Sequence, residues 1–88
     1  TPVNEASMPF AECLWYSNKL CSIYEKNIEE TCLELNIPFL SIHEKMIKLS
    51  SFKELLSSDG IHLNTEGHKW IYDQISEWPT LKNWANLN

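Results

Sequence analysis

Apolar side chains at Tyr16, Leu20, Ile23, Tyr24, Ile28, Cys32 and Leu35 recur every three or four residues, the period of a helix with one buried stripe. That spacing predicts a long amphipathic helix over residues 10–35, with Glu25, Lys26, Glu29, Glu30 and Glu34 on its wet face. Asn36 and Pro38 end it. The pattern then changes. Residues 37–42, Ile-Pro-Phe-Leu-Ser-Ile, form a short, nearly continuous apolar run, which predicts a strand buried on both faces in a parallel sheet. A strand needs neighbours to pair its backbone donors and acceptors, and the chain offers no second convincing one. The expected sheet therefore lies outside this chain. Upstream residues of the same polypeptide are its simplest source, and a partner subunit is the alternative.

Beyond that run, Ser41-x-x-Glu44 and Ser51-x-x-Glu54 fit capping boxes, and Met46, Ile47, Leu49, Phe52, Leu55 and Leu56 suggest short helical turns packed on the sheet. Ser57, Ser58, Asp59 and Gly60 read as a turn. A last helix is predicted from Asn64 or Thr65, either serving as N-cap, to about Trp78, with His68, Ile71, Ile75 and Trp78 as its buried stripe. Leu81, Trp84 and Leu87 at spacing three suggest one further helical turn docked on the body, and no repeat or linker interrupts the chain.

Composition narrows the picture. Eighty-eight residues make at most one small domain, and a chain of this size buries only about 60% of its unfolded surface. Residues 1–88 are read as the C-terminal part of a single domain, and the opening Thr1-Pro2 suggests a truncated or processed piece. Twelve acidic residues against seven basic ones, all lysine, give a net charge of −5. That balance repels phosphate backbones and lacks the arginine fork, which argues against a nucleic-acid partner. No apolar run approaches the roughly 18 residues of a membrane span. Cys13, Cys21 and Cys32 lack metal-type spacing and fall on one side of the long helix, where they read as free core thiols. Free thiols favour a reducing compartment such as the cytoplasm.

The chemistry concentrates in Asp59-Gly-Ile-His-Leu-Asn64, a turn leading into a helix with a carboxylate and an imidazole three residues apart. A serine hydroxyl needs an imidazole to take its proton, and that imidazole needs a carboxylate to fix its tautomer and orientation. Asp59 and His62 could supply both from one rigid turn, with Gly60 allowing the chain to fold back. The bland alternative is an Asp-Gly turn beside an incidental surface histidine. His43 reads as helping to cap or solvate the turn after the strand, and His68 as a partly buried structural histidine. A zinc site at Asp59, His62 and His68 is disfavoured, because no cysteine joins them and the helical His-x-x-x-His pairing is missing. Trp15, Trp70, Trp78 and Trp84 read as core and docking surface.

Residues Asp59, Gly60, His62 and Asn64, followed by Gly67 and His68, resemble the last block of the SGNH or GDSL-type esterases and lipases, Asp-Gly-x-His-x-Asn before a helix. The resemblance implies an α/β parent fold, a flavodoxin-like three-layer α/β/α sandwich, of which this chain would be the C-terminal part. It also implies a serine hydrolase with a Ser-His-Asp catalytic triad, acting on a small-molecule ester, in which Asp59 orients and His62 is the base. No metal or organic cofactor is implied. The Gly-Asp-Ser nucleophile block and the Gly and Asn of the oxyanion hole have no counterpart here, so the serine is expected in an N-terminal part of the same domain, and the piece alone is expected to be inert. The rivals are a non-catalytic α-rich interaction module, a catalytically dead homologue, and a relative that moves acetyl groups on carbohydrate.

Overall fold

Ser17 opens the first helix, α1 (Asn18–Glu34), by accepting the Leu20 amide on its hydroxyl at 3.2 Å, which satisfies one donor that a first turn leaves free. The structure is a computed structural model that describes residues 1–7 and 17–86. The expected beginning of this helix, with Phe10, Cys13, Trp15 and Tyr16, lies outside the described residues, as does Leu87. At its other end Asn36 takes a left-handed φ of 57°. The Ile37 amide then reaches the Cys32 carbonyl at 2.7 Å and the Asn36 amide the Leu33 carbonyl at 3.2 Å. That pair of bonds is the Schellman termination, with asparagine in place of the usual glycine. Cys21 and Cys32 are free and half-buried.

The face of α1 that docks is not the apolar one. No α1 residue is fully buried, and Ile23, Tyr24, Ile28, Leu33 and Leu35 are exposed, Tyr24 by 65% and Leu33 by 74%. Glu25 and Glu29, expected in water, instead hold the second helix, α2 (Ile42–Ile47). Glu25 accepts the His43 amide at 2.8 Å and the Glu44 amide at 3.0 Å, and Glu29 accepts the Ser41 hydroxyl at 2.8 Å. A carboxylate at a helix N-terminus meets free amides and the positive end of the helix dipole. Glu25 thus takes the place of the expected Ser41–Glu44 capping box, and Ser41 makes no side-chain cap bond. Ser51 makes none either, and it leads only into a single 3-10 turn, Phe52–Leu55.

The strand expected over residues 37–42 does not form, and no strand is present among the described residues. Residues 37–41 run as irregular chain between α1 and α2, with Ile37 51% exposed. The reason is the one the sequence raised: an extended segment without a neighbouring strand has no ladder to join. The α/β layering is accordingly not seen, and the regular elements among the described residues are helices, with one antiparallel bridge between Leu56 and Leu63.

Asn64 caps the third helix, α3 (Thr65–Ser76), and Pro79 begins the fourth, α4 (Pro79–Asn86), where a missing amide costs nothing. The tail is therefore two turns long, one more than its spacing suggested. The stripe of α3 is also rotated from the expected one. Gly67 is buried, and Trp70, Ile71, Gln74 and Trp78 are half-buried, whereas His68 is exposed and Ile75 is 42% exposed. Gly67 sets that rotation, since a Cβ there would run into the Leu55 carbonyl oxygen and lie 2.9 Å from Leu63 Cδ2. The helix rests backbone to backbone on the 3-10 turn.

Fully buried side chains among the described residues are few. Pro2 and Val3 of the opening segment and Met46 of α2 are the most deeply buried, followed by His43 and Leu56. The Cα radius of gyration is 14.7 Å, against about 12 Å for a compact chain of this length. Such openness agrees with the uncovered stripe on α1.

Candidate active site

Leu56 and Leu63 pair across the base of a loop whose closure is set by short backbone bonds. The Ser57 amide donates to the His62 carbonyl at 2.7 Å, the Gly60 amide to the Ser57 carbonyl at 2.9 Å, and the Ser57 hydroxyl to the Leu63 carbonyl at 3.2 Å. At the tip Gly60 has φ +73°, a conformation that costs a side-chain-bearing residue about 1–2 kcal/mol. A Cβ there would also sit 2.9 Å from the Asn4 carbonyl oxygen.

Within this loop the two carboxylate oxygens of Asp59 have separate tasks. Oδ1 accepts the amides of Ile61 at 2.8 Å and His62 at 2.9 Å, which folds the turn around the carboxylate. Oδ2 lies 2.5 Å from Nδ1 of the His62 ring. The ring hydrogen bond, and after it the two amides, hold the Asp59 carboxyl down at about 2, so it is ionised at neutral pH. An ionised carboxylate only accepts, so Nδ1 carries the hydrogen, and whenever the ring is neutral the lone pair is on Nε2. The His62 side chain is 78% exposed and that of Asp59 37%. Water screens a pair so placed, and its consequence is orientation rather than stability.

Asn64 anchors the loop to the body. Its Oδ1 accepts the Gly67 amide at 2.9 Å as N-cap of α3, and its Nδ2 donates to the carbonyls of Glu54 at 2.7 Å and Leu56 at 3.0 Å. Its own amide donates to the Leu55 carbonyl at 3.0 Å. One side chain thus ties the helix after His62 to the turn before Asp59. The Asp-Gly-x-His-x-Asn spacing contains this clasp, although the spacing alone does not reveal the double role of its asparagine.

Of the residues singled out in the sequence, the structure brings together Asp59 and His62 and leaves the other histidines apart. His68 is exposed on α3. His43 is buried at 5% exposure, with Nε2 2.9 Å from the Ser22 hydroxyl and Nδ1 lacking a hydrogen-bond partner. No carboxylate orients that ring, so Ser22 and His43 reproduce a nucleophile–base contact without its third member. No group of three or more His, Cys, Asp or Glu that could hold a metal is found among the described residues. No helix among them is long and apolar enough to cross a membrane. Two cavities of about 390 Å³ each open along α1, one beside residues 36–39 and the other between Glu25 and His43, away from His62.

Comparison with known proteins finds curated relatives at low identity. The chain is 27% identical over 97 residues to the GDSL esterase/lipase CPRD49 of Arabidopsis thaliana, an alignment covering 98% of this chain and 38% of that protein. It is 24% identical over 77 residues to the GDSL esterase/lipase WDL1 of Oryza sativa subsp. japonica, covering 81% of this chain and 30% of that protein. The chain spans about a third of the length of these curated relatives. No protein-family model and no solved structure matches it. The two relatives support the resemblance to the GDSL-type family first suggested by the Asp59 to Asn64 block.

Proposed function

We propose that this chain is the C-terminal part of a GDSL-type serine ester hydrolase and supplies the orienter and the base of its triad, Asp59 and His62. The observation that carries the reading is the 2.5 Å contact between Asp59 Oδ2 and His62 Nδ1, which leaves Nε2 available on an exposed ring. In the proposed reaction Nε2 takes the proton of a serine hydroxyl as its oxygen attacks an ester carbonyl. The same nitrogen returns that proton to the departing alcohol, and water then releases the acid by the reverse sequence. The serine and the oxyanion donors are proposed to lie in residues of the same domain outside these 88, in the α/β/α sandwich typical of the family. The greater length of the relatives and the uncovered apolar stripe on α1 support that placement. The chemistry requires no metal or organic cofactor.

The test is His62→Ala in the full-length protein, assayed on p-nitrophenyl acetate. Loss of general-base catalysis is expected to lower kcat by about 10²- to 10⁴-fold. A rate within twofold of the parent removes the assignment. The exposed stripe on α1 also favours a second reading, a non-catalytic module that docks on a partner through that face. A fluorophosphonate probe separates the two: labelling of one serine in the full-length protein supports the hydrolase, and its absence supports the module.

A further inference from the structure

Residues 1–7 lie between the start of α1 and the tip of the Asp59–His62 loop, and hydrogen bonds join them to both. On the α1 side the contact centres on Asn18. Its Oδ1 accepts the Val3 amide at 2.7 Å, and its Nδ2 donates to the Val3 carbonyl at 2.8 Å. A single side-chain amide thus satisfies both backbone groups of one residue, as a neighbouring strand would. The Asn18 amide in turn donates to Glu5 Oε1 at 2.7 Å, and Val3 is 1% exposed with Pro2 buried beside it. Residues 3–5 are therefore fixed to α1 from both sides of Asn4.

On the loop side, the Asn4 amide donates to the Gly60 carbonyl at 2.8 Å, while the Asn4 carbonyl accepts the Ser7 amide at 3.1 Å. Asn4 and Ser7 occupy the space that a Cβ on Gly60 would need, so the segment presses against the tip at its closest point. The other bonds that shape the loop, from Ser57 and across the Leu56–Leu63 bridge, hold its base and its internal form. Asn64 anchors that base to the body, and the contact at Gly60, whose neighbour in the chain is Asp59, adds a hold at the tip.

We propose that Asn18 is a positioning residue for the Asp59–His62 pair, acting through the Val3–Asn4 backbone and the Gly60 carbonyl. The proposal rests on the hydrolase reading above for its catalytic consequence. Without the brace the loop keeps its internal hydrogen bonds and tilts as a unit, so the carboxylate–imidazole contact survives and Nε2 moves relative to the attacking oxygen. Misplacement of a reacting group by about 1 Å costs on the order of 10²-fold in rate. The expected signature is a fall in kcat with little change in KM, since the tilt does not remove a substrate contact.

The experiment compares Asn18→Ala with the parent in the full-length protein by two independent readouts. Amide hydrogen exchange is expected to accelerate at least about tenfold at Asn4 while the amides of α3 keep their protection. On p-nitrophenyl acetate, kcat is expected to fall about 10- to 100-fold with KM within twofold. Asn18→Asp, which keeps the acceptor for the Val3 amide and loses the donor to its carbonyl, should fall between the two and serves where the alanine variant fails to fold. Unchanged exchange at Asn4, or faster exchange with unchanged kcat, overturns the proposal. Absence of ester turnover by the parent itself overturns the hydrolase reading on which the proposal depends. The exchange arm then still reports whether the mechanical link exists.

Discussion

At the scale of single residues, Asn64 bears most on the placement of the candidate site. It satisfies one donor at the start of α3 and two carbonyls on the far side of the loop. Asn64→Ala removes the cap, worth about 0.5–2 kcal/mol, and leaves the Glu54 and Leu56 carbonyls without their side-chain donor. The expected loss is about 2–4 kcal/mol of stability, read from the urea midpoint of the full-length protein. Asn64→Asp keeps the cap and loses only the two donors, so it should recover part of that loss. Equal losses in the two variants would show that the cap contributes nothing.

The elements behave less as their periodicity suggests. α1 and α2 are joined by Glu25 and Glu29 and by the buried His43, whose ring rests against Ser22. Burial pushes the His43 imidazole below its usual 6.5, and the nearby Glu25 carboxylate opposes that shift. A histidine whose folded value is depressed binds its proton more readily in the unfolded chain. Stability therefore holds above about pH 6.5 and falls as pH drops from there toward the lower folded value. His43→Gln should flatten that dependence, measured as urea midpoints between about pH 7 and 5. Equal slopes for parent and variant would exclude His43 as the source. Glu25 as a cap for α2 was hidden in the sequence because the two lie 18 residues apart, and the nearer Ser41–Glu44 pair fitted a local rule. The Asn36 termination is legible and the N-cap is narrowed to Asn64 or Thr65, since each depends on residues within one or two turns.

For the molecule as a whole, the main fact is an apolar stripe that faces outward. Ile23, Tyr24 and Ile28 lie on α1 at helical spacing and are 47%, 65% and 54% exposed. Under the proposed reading, residues of the same domain outside these 88 cover this stripe. Ile28→Ala in the full-length protein should then behave as a core truncation, costing about 2–5 kcal/mol by urea unfolding. A cost within about 0.5 kcal/mol would mean the stripe stays in water and would favour the docking module. The strand expected at residues 37–42 belongs to the same question, because its ladder requires neighbours that the described residues do not offer.

The helical segments, the turn at Asp59 and Gly60, a cap at Asn64 or Thr65 and the pairing of a carboxylate with an imidazole three residues on are all legible in the amino-acid order. Each of these depends on local geometry, where spacing and side-chain chemistry suffice. Contacts between distant segments settle the rest: the acidic face of α1 docks on α2, α3 turns on Gly67 and leaves His68 in water, and Asn18 reaches the loop tip through residues 3–5. Periodicity shows that a helix has two faces. Which face is covered depends on the element that comes to lie against it.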